Sequence, residues 1–142
     1  TVLECVLIKP PQTIGTDFGI KPGDTLLHLV RTRERAGGVF GYFDSWTADV
    51  QLPKSNDIFI NESRHKYFRE SGVHFSHVTQ TIGAIAASPT LAKQLDVEVG
   101  APLLSLVRRS FRQNGEQEEL VDYIHAFFNT ELFQYQMDLK LD

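Results

Sequence analysis

A single cysteine, Cys5, occurs among the 142 residues, so the chain can close no internal disulfide and build no CxxC metal site. Its apolar setting, Val2-Leu3-Glu4-Cys5-Val6-Leu7-Ile8, predicts a buried structural thiol in a reducing compartment. Long hydrophobic runs are missing as well. No stretch nears the roughly 18 unbroken apolar residues of a membrane helix, and Thr1-Val2-Leu3-Glu4 lacks the basic-then-apolar pattern of an export signal. The expectation is a soluble cytoplasmic domain with no membrane partner. Positive charge is scarce: 14 Lys and Arg against 18 Asp and Glu give a formal charge of −4, the wrong balance for gripping a phosphate backbone. Contact with DNA is therefore expected only through a domain outside these residues.

Signatures of catalysis are also absent from the sequence. There is no Gly-x-Ser-x-Gly elbow, no Gly-Lys-Ser/Thr phosphate loop and no Gly-x-Gly-x-x-Gly. His74 and His77 stand three apart on a predicted strand and point to opposite faces, a poor chelate. Neither a metal nor a cofactor is expected. The first residue is Thr1 and not Met, so the reading at this stage is of a piece whose missing part lies upstream.

What is present is enough for one core: 42% of the residues are apolar, and one domain over 1–142 is expected. The chain also repeats itself. Residues 18–38 match 95–115, pairing Gly23 with Gly100, Leu26 with Leu103, Leu29 with Leu106, Arg31 with Arg108 and Gly38 with Gly115. Each copy reads as a turn, a Leu/Val-rich strand and a hairpin tip, Gly37-Gly38 or Asn114-Gly115, where positive φ is tolerated. Ser88 and Pro89 have the pattern of an N-cap and a first helical residue, while Thr13 or Thr16 is the weaker cap ahead of the first copy.

A short polar helix over 61–72, packing Tyr67 and Phe68, and a strand over 73–85 are predicted between the halves. In 133–141 every apolar residue falls on an odd position, which predicts a closing strand with one buried face. The sum is an α+β domain with an antiparallel sheet and its helices gathered to one side.

Arg31 and Arg33, separated by one residue on a strand, project from one face and can converge on one anion. Their forked donors suit carboxylate or phosphate oxygens, although a solvated arginine face would read the same way.

The order of these elements resembles the UTRA domain, the effector-binding half of bacterial transcription regulators of the GntR superfamily, HutC branch. The resemblance rests on Leu91-Ala92-Lys93-Gln94-Leu95-Asp96-Val97-Glu98-Val99-Gly100-Ala101-Pro102-Leu103-Leu104, on Arg31-Thr32-Arg33, and on Phe128-Asn129-Thr130-Glu131-Leu132-Phe133-Gln134-Tyr135. It implies a chorismate lyase-like fold with a six-stranded antiparallel sheet, a homodimer, and a winged helix-turn-helix upstream. It also implies that Arg31 and Arg33 hold a small anionic effector, with His74 and Ser76 supplying polar contacts and Asp122, or Glu119, a carboxylate. Arg108, the counterpart of Arg31, is read as structural. Asp44 and Trp46 share a strand face across the hairpin from the arginines, so Trp46 is a candidate wall. The chain departs from the family at Ala48, where an acidic residue is usual, and Asp44 is the substitute. The loop 53–63 and the turn at Gly72 are the candidate moving parts. The enzyme alternative implied by the same fold is chorismate lyase chemistry, with Arg31 or Arg33 on the carboxylate and Asp122 or Glu119 as the acid.

Overall fold

The computed structural model describes residues 1–53, 64–72 and 74–141. Its elements are β1 (Val2–Ile8), α1 (Gln12–Phe18), β2 (Leu26–Arg35), β3 (Gly38–Thr47), α2 (Arg64–Glu70), β4 (His77–Ala86), α3 (Pro89–Leu95), β5 (Pro102–Asn114) and β6 (Gln117–Asn129). All six strands form one sheet in the order β1-β2-β3-β6-β5-β4, antiparallel at every pairing. The internal repeat is now visible as structure. Strand, short helix and hairpin occur twice, β1-α1-β2-β3 and β4-α3-β5-β6, and the two halves meet at β3 and β6.

Local chemistry explains the turns. Gly37 and Gly38 take φ of 104° and 131°, values that a side chain would strain, and they close the β2–β3 hairpin. Ser88 caps α3, its Oγ accepting from the Leu91 N–H at 3.2 Å, with Pro89 as the first helical residue. Ahead of α1 neither threonine caps; the N-cap is Pro11, without a side-chain bond.

The helices do not gather on one side. Residues two apart on a strand share a face, and Leu27 and Leu29 of β2 cluster with Tyr67 and Phe68 of α2 and with Val121. The other face carries α3, whose Ala92 and Leu95 pack with Leu103, Tyr42 and Phe127, and α1, whose Asp17 lies 3.6 Å from Arg109. Sequence periodicity reports that a helix has a buried stripe, not which face of a sheet receives it.

Two further expectations change. Strand β4 starts at His77, so His74 and Ser76 precede it. The segment 133–141 forms no strand. Instead it crosses the sheet on the α2 face, stacking Phe133 on Phe128 at 3.9 Å and taking a hydrogen bond from Gln80 Nε2 to the Tyr135 hydroxyl. Its later apolar side chains, Met137, Leu139 and Leu141, are exposed. Alternation marked a one-sided segment, but side-chain stacking and not a backbone ladder covers that side. Most of the loop 53–63, the start of the predicted 61–72 helix and Val73 lie outside the described residues.

Candidate functional site

Antiparallel register assembles the site on the α2 face. Arg31 pairs with Phe43, Phe43 with Ala126, and Ala126 with Leu106. In the next row Ile124 sits beside Arg108, and Arg108 beside Gln80 of β4. These side chains enclose a cavity of about 240 Å³ whose floor is Leu106, Ile124 and Ala126. Phe43, Phe128, Phe133 and Tyr135 form its walls, and Arg31, Arg33 and Arg108 also line it. A larger hollow of about 530 Å³ lies among the loops around α1. It brings Lys9 and Lys21 together with Asp24, so its charge is partly cancelled and no sheet strand aims a side chain into it.

The arginines are held differently. Arg31 is buried, 7% exposed, with its guanidinium 5.8 Å from the centre of the Phe43 ring. Arg33 lies at the rim, exposed, over Phe40. Arg108 is fixed by Gln80, whose Oε1 accepts from Nε at 3.0 Å and from Nη2 at 2.6 Å. No carboxylate lines this cavity among the described residues. Three cationic side chains beside an apolar floor make this a region of positive potential, which favours a bound anion.

The other sequence candidates are placed elsewhere. Asp122 lies on the same face but is 1% exposed, accepts from Thr47 Oγ1 at 2.6 Å and does not line the cavity. Glu119 sits towards the β5–β6 hairpin tip, bonded to Asn114 and Arg112; these two bonds hold its carboxyl below the usual range. His74 is exposed before β4, and the Ser76 hydroxyl donates to the Phe111 carbonyl. Asp44 and Trp46 project from the opposite face, because Asp44 pairs with Val30 and Trp46 with His28. The register shift between Arg33 and Glu34 turns these two residues away from the arginines.

On that opposite face His28 is clamped between Glu4, 3.0 Å from Nδ1, and Asp44, 2.8 Å from Nε2, and stacks on Trp46 at 3.9 Å. Nearby, His125 Nε2 and Ser105 Oγ lie 2.9 Å apart. Burial pushes the His125 imidazole below its ordinary value, partly offset by Asp44. A histidine with a depressed folded-state pKa binds its proton more readily when unfolded. Its stabilising contribution is complete above about pH 6.5 and is lost as pH falls towards the lowered value. Melting temperature should therefore decline between pH 7 and 5.5, and His125→Gln should flatten that part of the profile in a circular dichroism titration. An unchanged slope in the variant would assign the decline to other groups.

Among the described residues no group of three or more His, Cys, Asp or Glu is placed to hold a metal ion, and no helix is long and apolar enough to cross a membrane. The model of the UTRA domain family matches residues 1–134. This chain belongs to the UTRA family. A curated relative, the HTH-type transcriptional regulator Rv0792c of Mycobacterium tuberculosis, is 26% identical over 131 residues, covering 91% of this chain and 48% of its own length. The UTRA chain thus spans about half the length of that relative. Among solved structures, the ligand-binding domain assigned to a GntR-family transcriptional regulator from Bordetella bronchiseptica superposes with a TM-score of 0.85 at 24% identity, over 99% of this chain and 90% of that one. A GntR-family transcriptional regulator from Enterococcus faecalis gives 0.82 at 19% identity, over 98% and 99%.

For this UTRA domain the sequence found two of the three cavity arginines. Arg108 was passed over although the repeat pairs it with Arg31, and that pairing was the signal. Gln80 carries no mark in the sequence, and the aromatics Phe40, Tyr42 and Phe43, which suggest a less polar pocket, and the closing motif with Phe133 and Tyr135 do not show which rings wall the cavity, because that depends on strand register and on the path of the tail.

Proposed function

We propose that this UTRA domain is the effector-sensing part of a GntR-type transcription regulator. It takes a small organic anion between Arg31, Arg33 and Arg108, and DNA is bound by a winged helix-turn-helix upstream. The observation that carries the reading is that three arginines line one apolar-floored cavity. Strand β1 offers the route of coupling. Val2 pairs with Arg31 itself, and the Thr32 N–H donates to the Thr1 carbonyl at 2.8 Å. Whatever enters ahead of Val2 is thus tied to the arginine strand. A ligand shifts such a system only through its differential affinity for the two arrangements.

Binding without chemistry is the function that the lining supports. Lyase chemistry of the chorismate type needs an acid beside the arginines, and neither Asp122 nor Glu119 lines the cavity. A thermal-shift screen of small organic anions should find one that raises the melting temperature, since a ligand at a hundred times its Kd adds about 2.7 kcal/mol. Incubation with chorismate should release no 4-hydroxybenzoate. No stabilising anion, or steady release of that product, would remove the sensor reading.

We also infer that the domain works as a homodimer joined at β4. This edge strand runs ten residues, His77–Ala86, with no register shift against β5. It exposes Val78 and Ile82 on the face where the tail exposes Met137, Leu139 and Leu141. The other edge, β1, is interrupted by a register shift between Val2 and Glu4. A regular, uncharged edge invites strand pairing, and an antiparallel edge meets its own copy across a two-fold axis. Light scattering should give twice the chain mass for the parent and the single mass for Ile82→Lys. A monomeric parent, or a variant that stays dimeric, removes β4 as the interface.

A further inference from the structure

The tail that walls the cavity runs on towards the open edge of the sheet. Phe133 stacks on Phe128 of β6, and two residues later the Tyr135 hydroxyl accepts from Gln80 of β4. The path therefore crosses from the middle of the sheet to its last strand, over β6, β5 and β4. Exposure rises at each apolar step along it: Tyr135 38%, Met137 57%, Leu139 70% and Leu141 93%. Extended, residues 137–141 reach about 16 Å, roughly three strand spacings. The sheet ends at β4, so this length carries the tail past the edge.

Beyond Tyr135 the tail keeps the pattern of a packed segment. Its apolar residues hold odd positions from Phe133 to Leu141, and Gln134, Gln136, Asp138 and Lys140 hold the even ones. On β4 the matching apolar row is Val78 and Ile82, two residues to either side of Gln80 and exposed on the same face. A two-fold axis at the β4 edge doubles both rows and sets each tail over the row of the other chain. Gln80 and Ile82 stand near the middle of the ten-residue strand His77–Ala86. An axis through that middle brings Ile82 of the partner subunit beside the point where the tail leaves its own sheet.

We infer that residues 137–141 form an arm exchanged between two copies of this chain, with Met137, Leu139 and Leu141 lying over Val78 and Ile82 of the partner subunit. The inference rests on the β4 homodimer reading above and extends it to the cavity. Phe133 and Tyr135 line that cavity, so each cavity has a wall whose far end is held by the other subunit. The test mixes two chains of different mass, both Cys5→Ala, one carrying Leu139→Cys and the other Ile82→Cys. Mild oxidation should join them into a covalent product of the summed mass. No product between the chains, or a disulfide formed only within a chain that carries both substitutions, overturns the exchange. Because Cys5 packs against the core, a second measurement leaves it in place. Leu139→Ser changes a side chain that is exposed in the single chain, and it should raise the dimer dissociation constant in sedimentation at least about tenfold. An unchanged constant overturns the arm and leaves the β4 dimer standing. A parent that sediments as a monomer removes both.

Discussion

Arg108→Ala weakens anion binding by at least about tenfold, roughly 1.4 kcal/mol or more, and Arg31→Ala by a larger factor. Charge-assisted hydrogen bonds to a buried anion contribute about 1.5–3 kcal/mol each, and the buried member of the pair has the drier setting. Arg31 is 7% exposed, whereas Arg108 is only partly covered and leans on Gln80. Because both side chains would address one anion, the two losses should not add. Isothermal titration of the two single variants and the double variant should give a coupling of roughly 0.5–3 kcal/mol. Strict additivity would place the arginines on separate ligands, and an unchanged Arg108→Ala would remove that residue from the site. Gln80→Ala should reproduce a fraction of the Arg108 effect, since it frees the guanidinium without deleting it.

That prediction also measures how far the sequence could be read. The repeat was legible because both halves use the same turn and strand grammar, which pointed to an antiparallel sheet, and the resemblance to the family implied its six strands. In the folded sheet Arg31 and Arg108 occupy corresponding strands, β2 and β5, of the two halves, so the repeat brings them to a shared cavity from opposite sides. The sequence reading of Arg108 as structural did not use that pairing, and the bonds to Gln80 hold Arg108 in place at the cavity. Arg31 and Arg33 were legible from parity alone, which survives folding wherever a strand has no bulge between the two residues.

Where a bulge or a boundary intervenes, parity fails. The β2–β3 ladder shifts register between Arg33 and Glu34, so counting across from the hairpin tip misplaces everything on β3. Asp44 and Trp46 consequently belong with His28 on the far face, and Phe43, which the sequence does not set apart from Phe40 and Tyr42, walls the cavity. His74 and Ser76 were counted as strand residues, but β4 begins at His77. Asp122, named from the family pattern, is buried against Thr47 next to the register shift between Ser110 and Phe111, a feature of the paired strands that neither strand's sequence encodes by itself.

Phe68→Ala should cost about 3–5 kcal/mol, the largest stability loss expected from a single side chain in this domain. Phe68 is 1% exposed and packs with Tyr67, Leu27, Leu29 and Val121, so truncation leaves a void against strands too rigidly paired to collapse into it. For a chain of this size each kcal/mol lowers the melting temperature by about 3–5 °C, a fall of roughly 9–25 °C. Urea titration should show a lower midpoint at an unchanged slope, the mark of lost packing in an intact fold. A loss below about 1 kcal/mol would mean that α2 does not rest on β2 as described. The position of Phe68 gives the result a second meaning. Helix α2 covers the Leu27 and Leu29 end of the sheet face, while Phe133 and the tail cover the Phe128 end. The cavity lies on that face around Arg31 and Ile124, with Phe133 and Tyr135 of the tail in its wall. Loosening α2 should therefore weaken anion binding along with stability, and a saturating ligand should recover part of the lost melting temperature by mass action.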